Sequence, residues 1–184
     1  MRLAENEKER FKMLKAKIQP VYFEEINDRE KNEYAAQMEC LHRYYDDVAE
    51  FLPPVRLGEP IPEEADVVGF PQMIFAAFRH DDLFRQIKKP MIVLTSRFGT
   101  VEMWDWEIVT YLRDLGCEVF SPYSVELAKT ILRAFAVKAK LASGAKFVMF
   151  QDTPGEGMQA NIFKKFYWWE QQSTQKIEQT FGCK

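Results

Sequence analysis

The chain has 184 residues, 47% of them apolar, 14% aromatic and 29% charged, with only 8 Gly and 9 Pro, the profile of an ordered globular protein and not of a disordered or collagen-like one. Its 25 Lys and Arg against 28 Asp and Glu leave a net charge of −3, and no basic stripe of the kind that phosphate-backbone binding requires is present, so nucleic acid is not expected as a partner. Such a length suits one domain, or one domain and the beginning of a second.

Phe11, Leu14 and Ile18 recur at helical spacing among charges, so Glu5 to Lys17 reads as a short amphipathic helix. The apolar run Ile18 to Phe23 follows as a strand, which Pro20, having no N–H to donate, confines to an edge or a strand start. From Asp28, a good N-cap, the positions Tyr34, Met38, Leu41, Tyr45 and Val48 advance by threes and fours and predict a helix to about Phe51, stopped by Pro53 and Pro54. A proline-rich connector, Pro53 to Pro62, leads into a regular alternation. Ala65 to Phe70 reads as a buried strand, and Gln72 to Lys88 as a helix carrying Ile74, Phe75, Phe78, Phe84 and Ile87. Pro90 to Ser96 is the next strand, Glu102 to Leu115 a helix stopped by Gly116, and Cys117 to Ser121 a third strand. Ser124 caps a helix to about Ala142 that Gly144 closes; Lys146 to Gln151 is a fourth strand and Gln159 to Phe181 the last helix.

Four continuous apolar strands, each followed by a helix, define the fold class as α/β: a doubly wound, mainly parallel sheet with helices on both faces, Rossmann-like or flavodoxin-like, preceded by an N-terminal helical segment. In the last helix Phe166, Tyr167, Trp168 and Trp169 are consecutive and point to all sides, so one core face does not bury all four. Gly182 supplies a C-cap where a further strand would normally follow, and Lys184 is expected to be a truncation point or the edge of an interface. Cys40, Cys117 and Cys183 are far apart, odd in number and without a C-x-x-C pair, which suits a reducing compartment and neither a disulfide framework nor a Cys-based zinc site. The opening MRLAENEKERFKMLKAK lacks the apolar core of a signal peptide, and no run of 18 apolar residues occurs; a soluble, cytoplasmic protein without membrane contact is expected.

Two loops at the carboxyl ends of strands, where open α/β sheets bind ligands, carry candidate chemistry. In the first, Ser96-Arg97-Phe98-Gly99-Thr100 leads into Glu102, Trp104, Asp105 and Trp106. A guanidinium among carboxylates and indoles suits sugar hydroxyls or an oxyanion, while the same set equally suits an Arg97 pairing with Glu102 or Asp105 that pins the loop. In the second, Asp152 to Ala160, the residues Gly155, Gly157 and Ala160 match a relaxed dinucleotide fingerprint. Asp152, Thr153 and Pro154 lengthen that turn and Glu156 places an anion where pyrophosphate would sit, so turn geometry accounts for the glycines as well. No serine-hydrolase elbow and no P-loop is present, and the two histidines, His42 and His80, have no histidine at ligand spacing. Arg79-His80-Asp81-Asp82 reads as a polar helix face, and Cys117, at a strand start, as buried and inert.

In order, ADVVGF, PMIVLTSRFG, the helix bearing WDW, LGCEVFSPYS, LAKTILRAFAVKAKLASGAKFVMFQDTPGEGM and a final helix ending in FG resemble the N-terminal region of the L-fucose / L-arabinose isomerase-like sugar isomerase family, over roughly Lys17 to Gly182. The resemblance implies two regions: residues 1–122 as a first α/β domain with an N-terminal helical extension, and 123–184 as a linking helix plus the first strand and helix of a second α/β domain, unless that strand completes the first sheet. It implies aldose–ketose interconversion by the longer protein, with manganese or another divalent metal held by acidic residues and a His that have no counterpart here. The 184 residues alone are then a carbohydrate-binding and assembly part, without catalytic, metal or cofactor residues of their own. Arg97, Glu102, Asp105, Asp152 and Glu156 would contact a monosaccharide, a pentose or 6-deoxyhexose, and the chain would form a homo-oligomer or join C-terminal domains. Two other readings remain: a free-standing α/β binding or interaction module using its aromatic C-terminal helix, and a nucleotide-binding oxidoreductase domain using Gly155 and Gly157.

Overall fold

The computed structural model describes residues 14–22, 28–71, 78–94, 103–146, 148 and 171–182. Its strands are β1 (Ala16–Tyr22), β2 (Ala49–Phe51), β3 (Val55–Arg56), β4 (Val67–Phe70), β5 (Met91–Val93) and β6 (Val119–Phe120); its helices are α1 (Asp28–Tyr45), α2 (Asp81–Gln86), α3 (Met103–Asp114), α4 (Val125–Ala142) and α5 (Gln171–Phe181). All strand pairs are parallel, and the strands lie in the order β2-β1-β4-β5-β6 with β3 also beside β1. With β2 and β3 counted as one interrupted strand, this is the flavodoxin-like order of doubly wound sheets.

Alternating side chains send the strands' apolar residues to two separate cores. On one face Ile18, Val67, Ile92 and Leu94 pack with Leu41 and Tyr45 of α1 and with Ala128, Leu132 and Phe135 of α4. On the other, Val68, Phe70, Met91, Val93 and Val119 pack with Phe84 of α2 and Ile108, Val109 and Leu112 of α3. The strands are buried on both faces, which is why they read in sequence as unbroken apolar runs.

Pro20 does not stand at an edge, as its chemistry led one to expect, because β1 is paired on both sides. The ladder toward β2 stops at Ile18↔Phe51 and resumes toward β3 at Val21↔Val55, so the side carrying Pro53 and Pro54 uses one residue more than β1 does. Pro20 falls in that bulge, where no ladder bond is lost. β1 also starts at Ala16, so the expected N-terminal helix does not reach Lys17; its remainder, residues 5–13, lies outside the described residues.

Two further differences arise from short strands. The helix expected to run to Phe51 ends at Tyr45, and Ala49–Phe51 forms β2 after a turn closed by Val48 N–H on Tyr45 O. The connector expected over Pro53 to Pro62 contains β3. Segments of two or three residues carry no periodicity of their own, and their pairing with β1 decides them. Of the helix expected from Gln72 to Lys88, the described part is α2, which ends at Gln86 because Ile87 is extended. Lys146 and Val148 lie in no strand, and the rest of the expected strand to Gln151, like residues 159–170 of the last helix, lies outside the described residues.

Glycine closes the helices as the sequence predicts: Gly116, Gly144 and Gly182 have φ of 86°, 94° and 67°, the left-handed conformation that costs glycine least. Ser124 Oγ accepts the Leu127 N–H at 3.1 Å, capping α4. The chain divides into two compact units, Met1–Ala136 and Val137–Lys184. The first holds the sheet and both cores; the described part of the second holds the last turns of α4, the Gly144 turn and α5. No helix among the described residues is long and apolar enough to cross a membrane.

Candidate functional site

Doubly wound sheets leave a crevice at the carboxyl ends of the two strands from which successive connections depart to opposite faces. Here those strands are β1 and β4: the chain leaves β1 for α1 on one face and β4 for α2 on the other. Close approach of the two strands needs Gly69, since a Cβ there would stand 2.6 Å from Ile18 Cγ2. Gln19, fully buried, anchors the neighbouring bulge by donating from Nε2 to Pro53 O at 2.7 Å and Pro20 O at 3.1 Å, while its Oε1 has no partner.

Aromatic side chains stand at two separate ends of the sheet, after β1 and after β6. Tyr22, the last residue of β1, meets Tyr34 of α1 edge to face with ring centroids 6.0 Å apart. Tyr34 is only 7% exposed and its hydroxyl has no hydrogen-bond partner. Burial, aided by Tyr22, pushes its phenol up to about 12, so it stays neutral and is no proton donor or acceptor at neutral pH. After β6, Pro122 is buried while Tyr123 is 66% exposed just ahead of the Ser124 cap. An exposed phenol ring beside a helix start offers both a flat apolar surface and a hydroxyl.

Elsewhere, Tyr111 of α3 donates its hydroxyl to the Asp81 carboxylate, which raises the phenol above its ordinary value, and its ring lies 4.8 Å from that of Phe78. Arg79-His80-Asp81-Asp82 is thus not a plain polar helix face: His80 precedes α2, its carbonyl accepts the Leu83 and Phe84 N–H groups, and Asp81 is tied to α3. Cys117 is half-buried rather than fully buried, with burial pushing its thiol up against the opposing charges of Arg85 and Lys88. A thiol raised in this way is a weak nucleophile. Cys40 is a free thiol as well.

The residues expected to touch a ligand stand as follows. Arg97 and Glu102 lie outside the described residues, in the segment joining Leu94, which follows β5, to Met103, the first residue of α3. Asp105 belongs to the first turn of α3, and its side chain is outside what is described. Asp152 and Glu156, with Gly155 and Gly157, are outside the described residues too. The side chains of all five thus lie outside what the structure describes. It places Tyr22, Tyr34 and Tyr123 at or near the strand ends, none of which sequence reasoning singled out. For Tyr123 a signal existed, an aromatic residue between a strand and a Ser N-cap; for Tyr22 and Tyr34 there was none, because both sit at positions that suit a core.

Among the described residues no three His, Cys, Asp or Glu side chains converge into a set that could hold a metal ion. Comparison with protein-family models, with curated proteins and with solved structures gave no match.

Proposed function

We propose that the chain is the N-terminal, non-metal-binding part of an aldose–ketose isomerase of the fucose/arabinose type, which binds a monosaccharide and takes part in subunit assembly. The observation that carries this reading is the strand order β2-β1-β4-β5-β6, whose crevice between β1 and β4 lies next to the strand from which the Arg97 segment departs. The division of the chain after Ala136, within α4, supports it further, since a helix passing from a first into a second α/β unit is what the family resemblance implies. Tyr22 and Tyr123, at the ends of β1 and β6, offer ring surface and hydroxyls that suit a ligand rich in hydroxyls and C–H surface. In this reading Arg97, Glu102 and Asp105 supply the charged hydrogen-bonding groups to sugar hydroxyls.

The test is a titration of the chain with L-fucose and L-arabinose followed by amide shifts. The reading expects movement at Tyr22, Leu94 and Tyr123, saturation with at least one of the two sugars, and weaker binding by Arg97→Ala at an unchanged melting temperature. No movement with either sugar, or equal affinity of the Arg97→Ala variant, overturns it.

A further inference from the structure

A recess lies beside the ends of β1 and β3, on the face of the sheet that carries α2. Its volume is about 390 Å³, within the range of small-molecule sites. Its floor is apolar: Val21 and Leu57 belong to the core beneath it, and Ile61, Leu83 and Ile87 pack partly buried against that core. Among the described residues α2 has six residues and the chain from β3 to β4 crosses as a loop, so neither segment covers the recess as a long helix would. Gly58 shapes its wall, with φ of 97° and the Leu83 side chain 3.4 Å from where a Cβ would stand.

The rim is cationic. Arg56, Lys88 and Lys89 line it against one carboxylate, Glu59, which is already engaged by the Arg56 N–H at 2.8 Å. Lys88 Nζ donates to Arg85 O at 2.8 Å and Lys89 Nζ to Glu63 O at 2.9 Å. Main-chain carbonyls hold the two ammonium groups in place without cancelling their charge, and each ammonium keeps two further N–H donors. A second recess, of about 440 Å³, shares Ile87, Lys88 and Lys89 and adds Arg85 and one carboxylate, Glu118, so the cations are reachable from both sides of the same ridge.

We infer that this recess binds a small anionic amphiphile, an oxyanion head on Lys88 and Lys89 with a short apolar body on the Leu57, Leu83 and Ile87 floor. Apolar burial supplies the attraction and the lysines select the charge. The inference stands on residues 21–89 and does not rest on the sugar reading.

The experiment titrates the whole chain with hexanoate, hexyl phosphate and 1-hexanol and follows amide shifts. The expected result is movement confined to Arg56–Ile61 and Leu83–Lys89, at least tenfold tighter binding of one or both anions than of 1-hexanol, and a tenfold or greater loss in the Lys88→Glu, Lys89→Glu double variant with the melting temperature kept. Hexanoate alone binding assigns a carboxylate ligand, and hexyl phosphate alone a phosphate monoester. Binding of 1-hexanol as tight as the anions, an unaffected charge-reversed variant, or no movement at these amides overturns the inference. A variant that loses its fold leaves the comparison of the three ligands on the unaltered chain to decide.

Discussion

The two faces of the sheet are covered by very different means. One carries α1 and α4, each 18 residues long, whose Leu41, Tyr45, Leu132 and Phe135 close over Ile18, Val67 and Ile92. That face is also latched at its rim, where Asp47 meets Lys129 at 2.9 Å and Arg133 at 3.8 Å, with the Lys129 hydrogen bond foremost in holding the carboxyl below its usual range. Among the described residues the other face carries α3 of 12 residues, α2 of six, and a loop, with the recess beside β1 and β3. Among the described residues the face with the longer helices is the more closely sealed, because a longer helix covers more of the strands it crosses.

The largest test of that contrast is truncation in the two regions. Leu132→Ala, in the sealed core, is expected to lose about 2–5 kcal/mol, and Leu83→Ala, beside the recess, about 1 kcal/mol or less because water already reaches that space. Urea unfolding of both variants checks this, and equal losses would erase the distinction between the faces. Next comes Gly69→Ala between β1 and β4: the new Cβ meets Ile18 Cγ2 in a close-packed core, for an expected loss of about 1–3 kcal/mol. A double-mutant cycle with Ile18→Ala sharpens it, since removing the clashing methyl should make the two losses less than additive.

The smallest effect is a gain. Tyr34→Phe removes a buried hydroxyl that has no partner and is expected to stabilise the chain by up to about 1 kcal/mol at neutral pH. The phenol is held up at about 12 when folded against about 10 when unfolded, so the unfolded chain releases its proton first. The stabilisation tied to the neutral phenol is complete below pH of about 10 and is lost as pH rises toward about 12. Unfolding curves across that window should fall less steeply for Tyr34→Phe than for the parent chain; identical slopes would mean that Tyr34 finds a partner in solution.

Much of the fold was legible in the residue order. Ala65 to Phe70 and Pro90 to Ser96 read as buried strands, and in the described residues Val67 to Phe70 and Met91 to Leu94 are covered on both faces; Gly116 and Gly144 marked helix ends because the left-handed turn favours glycine. β2 and β3 were not legible: Ala49–Phe51 continues the spacing of the helix before it, and Val55–Arg56 lies among prolines. At the candidate site, Arg97, Glu102 and Asp105 stood out by their chemistry in a strand-to-helix loop. Tyr34 did not, because an orphaned hydroxyl is a property of its surroundings and not of its spacing.

By itself, then, the sequence determined the α/β class, the alternation of strand and helix, and the places where helices stop, because periodicity, capping and glycine conformation act over a few neighbouring residues. The tertiary structure alone decided the strand order, the interior position of a proline-bearing strand, and the recess beside α2 with its lysine rim. These depend on which segments far apart in the chain come to lie side by side, and local preference carries no information about that choice.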